Sequence, residues 1–150
     1  MVEMHAPLET VWDVVVDLPS YPAWNPFIRR VDFQPPLGVG SAMTLELDWA
    51  KFRGPRHSPE RVLRMDGPIE GQDYAVLAYS YDGWLARQGL IRAVRTQEIW
   101  RVGDGGVRYR TVEVFAGPGR ALVPVRAVRD GFERQATALI ARAQALHLGQ

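Results

Sequence analysis

Val11-Trp12-Asp13-Val14-Val15-Val16-Asp17-Leu18-Pro19-Ser20-Tyr21-Pro22-Ala23-Trp24-Asn25-Pro26-Phe27 is a short amphipathic helix that runs into a turn crowded with proline and tryptophan. Ala6-Pro7 opens the helix, because proline at the first helical position lacks only an N–H that would be unpaired anyway and already holds a helical φ. Leu8, Val11, Trp12 and Val15 recur at i, i+3, i+4 and i+7 and form one apolar stripe. Pro19 ends this helix. Pro22 and Pro26 then leave room for only one short helix, over residues 20–24.

Downstream the period changes from helical to strand-like. Residues 28–34 read as a strand, and Pro35-Pro36-Leu37-Gly38-Val39-Gly40 as the turn that closes it. Met43, Leu45, Leu47 and Trp49 alternate with Thr44, Glu46 and Asp48, the pattern of a half-buried strand. Residues 51–59, with Gly54, Pro55 and Pro59, read as a loop that includes His57; strands are predicted over 60–65 and 73–81. The connection 82–89 carries Trp84 and Leu85, an unusual hydrophobic content for a loop.

The strongest hairpin joins strands at about 91–102 and 107–115 through Gly103-Asp104-Gly105-Gly106. With Val102 opposite Val107, the facing pairs become Trp100 with Tyr109, Glu98 with Thr111, Thr96 with Glu113, and Val94 with Phe115. The opposite face holds Arg95, Gln97, Ile99, Arg101, Arg108 and Arg110. Arginines seldom point into a core unpaired, so the aromatic face is expected to turn inward and to take Glu98 and Glu113 with it. A one-residue slip would reverse the facing of a strand. The last helix is predicted over 122–146, with Pro124 in its first turn and Val125, Val128, Phe132, Ala136, Leu139, Ala143 and Leu146 on one face. Helix, antiparallel strands and long helix give an α+β fold whose sheet curves around the last helix, one domain over residues 1–150.

Composition narrows the function. Eighteen basic and seventeen acidic residues are interspersed, for a formal charge of +1, so no nucleic-acid partner is expected. No cysteine is present, which excludes disulfides and thiol chemistry. His5, His57 and His147 lack metal-ligand spacing, Gly-x-Ser-x-Gly does not occur, and the 103–106 glycines suit a turn better than a phosphate loop. No metal, nucleotide or covalent cofactor is therefore expected. With no apolar run of membrane-spanning length and no leader segment, the expectation is a cytoplasmic monomer or homodimer.

Ala6-Pro7, Val11-Trp12, Asp17 and Tyr21-Pro22-Ala23-Trp24-Asn25-Pro26-Phe27, followed by Glu113-Val114-Phe115-Ala116-Gly117, resemble the START/Bet v 1-like superfamily (SRPBCC), in particular its polyketide cyclase/dehydrase and lipid-transport branch. The resemblance implies a helix-grip fold enclosing a cavity for a hydrophobic or aromatic small molecule, lipid- or polyketide-like. It also implies that Trp49, Trp84 and Trp100 border the cavity or its mouth, and that the helical face of Val128, Phe132 and Ala136 lines it. On the hairpin, Thr96, Glu98, Tyr109, Thr111, Glu113 and Phe115 complete the expected lining. Three roles stay open: a carrier; an aromatic polyketide cyclase or dehydratase in which Glu98 or Glu113 moves protons with Tyr109; or a stress or helper module that binds a partner protein through Trp84 and Leu85.

Overall fold

The computed structural model describes residues 1–103 and 105–150, so Asp104, in the predicted turn, lies outside the described residues. The N-terminal helix α1 spans Leu8–Val16 behind Pro7, with Leu8, Val11, Trp12 and Val15 buried. A 3-10 turn at Leu18–Ser20 leads into the single-turn helix α2, Tyr21–Trp24. Tyr21 is buried and donates its hydroxyl to the Val15 carbonyl at 2.6 Å. Asn25 ends α2: its Oδ1 accepts from the backbone N–H groups of Phe27 (3.0 Å) and Ile28 (2.9 Å), which turns the chain into the sheet.

Among the described residues seven strands form one antiparallel sheet: β1 Val2–Met4, β2 Ile28–Phe33, β3 Ala42–Leu47, β4 His57–Asp66, β5 Tyr74–Tyr81, β6 Arg92–Val102 and β7 Gly106–Ala116. Their spatial order is β1-β7-β6-β5-β4-β3-β2. Register breaks between Ile28 and Arg30 and between Val62 and Arg64 mark irregularities of the kind that bend and coil a sheet. A one-turn helix α3, Trp84–Arg87, occupies the connection expected as plain loop, and a 3-10 turn at Pro118–Leu122 precedes the long helix α4, Val125–Leu148. Helix α4 lies across the concave face, burying Val128, Gln135, Ala136, Leu139 and Ala143. This is the helix-grip fold that the resemblance implies, in the α+β order that the sequence pattern predicts.

Helix α4 begins three residues later than the predicted 122, after the 3-10 turn, and further expectations change. β1 is absent from the sequence reading because three residues are too few to show a period. His57 begins β4 and pairs with Glu46 instead of lying in a loop. The hairpin register differs by one residue: Val102 opposes Gly106, so Ile99 faces Tyr109, Gln97 faces Thr111, Arg95 faces Glu113 and Ala93 faces Phe115. Gly103 and Gly105 both adopt positive φ (52° and 86°), which lets the connection close in three residues and leaves Gly106 in the ladder. Strand β7 faces as expected. Strand β6 is turned over, with Arg95, Gln97 and Ile99 buried.

Candidate functional site

Two half-open recesses with a shared wall lie between the concave face and α4. The apolar one, about 280 Å³, lies under Trp49, Tyr79, Tyr81, Leu85, Ile91, Phe115 and Phe132, with His57, Ser58, Glu60, Arg95 and Glu113 among its polar groups. The other, about 470 Å³, is a more polar groove beside Val2, Tyr109, Thr111, Glu113, Val128, Phe132 and Ala136. Glu113, Phe115, Val128 and Phe132 border both.

Arg95 organises the polar end. Its guanidinium carbon stands 3.9 Å from the centroid of the Phe132 ring. Nε donates to Thr111 Oγ1 (2.9 Å), Nη1 to the Tyr79 hydroxyl (3.0 Å) and Nη2 to Gln135 Oε1 (3.0 Å). All three acceptors are neutral, and among the described residues no carboxylate makes an ion pair with it and two of its five N–H bonds make no hydrogen bond, with the Tyr109 hydroxyl close beside it. A guanidinium does not discharge by losing its proton, so a positive charge persists in a side chain only 3% exposed. The network continues through Gln97 Oε1, which accepts from the Tyr109 hydroxyl (2.7 Å) and from Gln135 Nε2 (3.4 Å), while Gln97 Nε2 is buried without a partner.

Two carboxyls share this chamber. Glu60, on β4, is buried and accepts from Ser58 Oγ at 2.8 Å. Burial pushes its pKa up to about 8; Ser58 and Arg95 pull down, and Glu113 and Asp82 push up. Burial likewise raises Glu113, with Arg95 opposing. Desolvation thus outweighs the nearby cation at both, since neither touches the guanidinium. Burial also raises the hydroxyls of Tyr79 and Tyr109, which stay neutral donors.

Among the predicted lining residues, Trp49, Tyr109, Thr111, Glu113, Phe115, Val128, Phe132 and Ala136 all border the cavity. Trp49 packs edge-on against Phe27, ring centroids 5.4 Å apart, and donates to the Pro55 carbonyl. Thr96, Glu98 and Trp100 are corrections: the one-residue register difference puts them on the outer face. There Glu98 pairs with Arg110 (Nε to Oε2, 2.8 Å) and accepts from the Tyr74 hydroxyl (3.0 Å), while Trp100 lies against the Tyr74 ring and under Arg110. Trp84 is 67% exposed and stands outside the chamber, which its neighbour Leu85 enters. Arg95, Gln97, Glu60, Tyr79 and Gln135 are missing from the sequence-derived set. Glu60 carried a signal, since it shares strand parity with Val62, the buried aliphatic of β4. His57 borders the apolar compartment; among the described residues no group of three His, Asp or Glu side chains is placed to hold a metal ion. Nor is any described helix long and apolar enough to cross a membrane.

A curved sheet gripping a long helix around a partly polar cavity defines the START/Bet v 1-like class. Within it, the chain belongs to the polyketide cyclase/dehydrase and lipid transport family, whose model matches residues 1–144. Comparison with functionally curated proteins gives no match. Similar solved structures include hypothetical protein jhp0584 from Helicobacter pylori, at 14% identity and TM-score 0.70, covering 95% of this chain and 84% of that one. A START superfamily protein from Mycobacterium smegmatis has 19% identity and TM-score 0.62, covering 97% and 94%. The di-domain ARO/CYC StfQ of the steffimycin biosynthetic pathway has 18% identity and TM-score 0.62, covering 92% of this chain and 43% of that one. At these identities the likeness is one of fold.

Proposed function

We propose that residues 1–150 form one cytoplasmic ligand-binding domain, which holds a hydrophobic or aromatic small molecule, lipid- or polyketide-like, in the cavity between sheet and α4. The observation that carries this reading is Arg95: a permanent charge, buried among neutral partners, with N–H bonds to spare at the inner end of an apolar chamber. A buried cation without a counter-ion is costly. A ligand bearing a carboxylate, enolate or sulfonate supplies that counter-ion, while its apolar body fills the space under Trp49, Tyr81 and Phe115. Glu60 and Glu113 do not compete for the guanidinium when they hold their protons.

Mass spectrometry of the freshly purified protein under native conditions should reveal a co-purified molecule. Two fluorescent probes then test the head-group rule: anilinonaphthalene sulfonate, which is anionic, and phenylnaphthylamine, which is neutral. Arg95→Gln should weaken the anionic probe by about ten- to a hundredfold, the range of a lost charge-assisted hydrogen bond, and change the neutral one little. Equal loss for both would leave Arg95 a structural role only.

A second reading is favoured by Glu60, whose pKa near 8 within the chamber suits proton transfer at neutral pH. In it, a poly-β-keto chain is held by Arg95 and cyclised or dehydrated as Glu60 or Glu113 moves protons. StfQ, an ARO/CYC protein of similar fold, lends this reading support. Recovery of the co-purified molecule unaltered after incubation supports the carrier; its conversion supports the enzyme.

A further inference from the structure

The apolar compartment opens between α3 and the turn that precedes α4. Leu85, Ile91, Leu122 and Pro124 line this mouth. Leu122 is 82% exposed, and Trp84 and Val125, each adjacent in sequence to a lining residue, are 67% and 48% exposed. The two sides of the rim are tied together: Gly119 N–H donates to the Leu90 carbonyl at 2.8 Å, and Leu90 N–H to the Leu85 carbonyl at 2.9 Å. Gly117, at φ 96°, approaches so closely that a Cβ there would lie 2.6 Å from the Leu90 oxygen. The exposed apolar side chains are therefore held on one fixed rim.

Charge on that rim is mainly positive. Residues 82–92 and 117–130 contain Arg87, Arg92, Arg120, Arg126 and Arg129 against Asp82 and Asp130, in a chain whose basic and acidic totals are 18 and 17. All five arginines are exposed. Only Arg87 makes an ion pair among the described residues, a long one of 3.8 Å to Asp82, whose carboxylate also holds Arg61 at 2.9 Å.

We propose that this rim docks on an anionic lipid bilayer. Trp84 and Leu122 enter the boundary between head groups and acyl chains, and the arginines lie on the lipid phosphates. Tryptophan has an apolar body and one polar N–H, which suits it to that boundary, and clustered arginines are drawn to an anionic leaflet. A membrane fits better than an acidic protein because the exposed apolar residues continue into the cavity lining. A bilayer seated there would join the chamber to the lipid phase, and an apolar ligand could pass without crossing water. No spanning helix is required for such peripheral contact.

The test is co-sedimentation with vesicles of phosphatidylcholine, alone or with about a quarter phosphatidylglycerol, at low salt and at about 0.5 M salt. The expected result is binding to the anionic vesicles only, abolished by salt. Trp84→Ala should reduce partitioning by about tenfold, and the double variant Arg120→Glu/Arg126→Glu should abolish it. Thermal melts verify that these surface variants fold. Wild-type protein that ignores anionic vesicles at low salt overturns the proposal, as does binding that all the variants retain. A soluble acidic protein bound through Trp84, with no vesicle binding, would overturn it in favour of a protein partner. Probe uptake measured without vesicles reads the cavity separately, so docking can fail while the ligand-binding reading stands.

Discussion

Glu60 folds with a proton that it lacks in the unfolded chain at neutral pH. Its pKa rises from an ordinary 4.5 to about 8, and burial is the main cause. The native state therefore binds more protons than the unfolded state between those values. Stability from this group is complete below pH 4.5, falls as pH rises towards about 8 and is level above, at about 1.4 kcal/mol per pH unit at most. Glu60→Gln, neutral at every pH, should flatten the decline. Urea unfolding from pH 5 to 9 checks this: relative to wild type, the variant should gain stability towards pH 8, and an unchanged slope would mean that Glu60 is ionised throughout. Glu113 was legible because Tyr109 and Phe115 mark its strand parity as inward. Arg95 was not. A buried guanidinium is tolerable only because Tyr79, Thr111 and Gln135 arrive from three other elements, and no local window of sequence contains that set.

Among the elements, α4 is both wall and clamp, and it comes up close against the rest of the fold at Gly131. A Cβ there would lie 2.5 Å from two carbons of the Phe27 ring. That ring cannot yield easily, being 3% exposed and wedged edge-on between Trp49 and Phe132. Glycine inside a helix costs about 1 kcal/mol relative to alanine, yet overpacking a filled site costs about 1–3 kcal/mol. Gly131→Ala is therefore expected to lower the melting temperature despite its better helix propensity; a rise would show that Phe27 can move aside. The amphipathic stripe of α4 was readable from its spacing, whereas this contact was not, because glycine shows no preference for a side until its neighbour is known. The β6–β7 hairpin is the converse case. Its existence follows from glycine and alternation, but its facing turned on whether one glycine belongs to the loop or to the ladder.

For the molecule as a whole, sheet and helix share one apolar interior. A chain ending at residue 122 loses α4 and leaves the concave face in water, including Leu45, Leu77 and Tyr109. Such a chain is expected to show no cooperative thermal transition by circular dichroism, and a sharp melt would mean that the sheet has a core of its own. The architecture was legible because periodicity and proline placement are local signals that agree with the global packing. The cavity's polar chemistry was less so, because it depends on register between strands.

The pairing of β1 with β7 carries a consequence for how the protein is made. Val2 lies opposite Tyr109 and Met4 opposite Val107, and Glu3 bonds Arg108 across 105 positions of sequence. Residues 2–4 are synthesised before their partners and thus wait through those 105 positions before they find their place. Until then the edge of the sheet that they will cover does not exist, and contacts of such long sequence separation make folding slow. The nascent chain must stay soluble through that interval with the apolar face of α1 uncovered, which is the period when aggregation competes with folding and a chaperone is of most use.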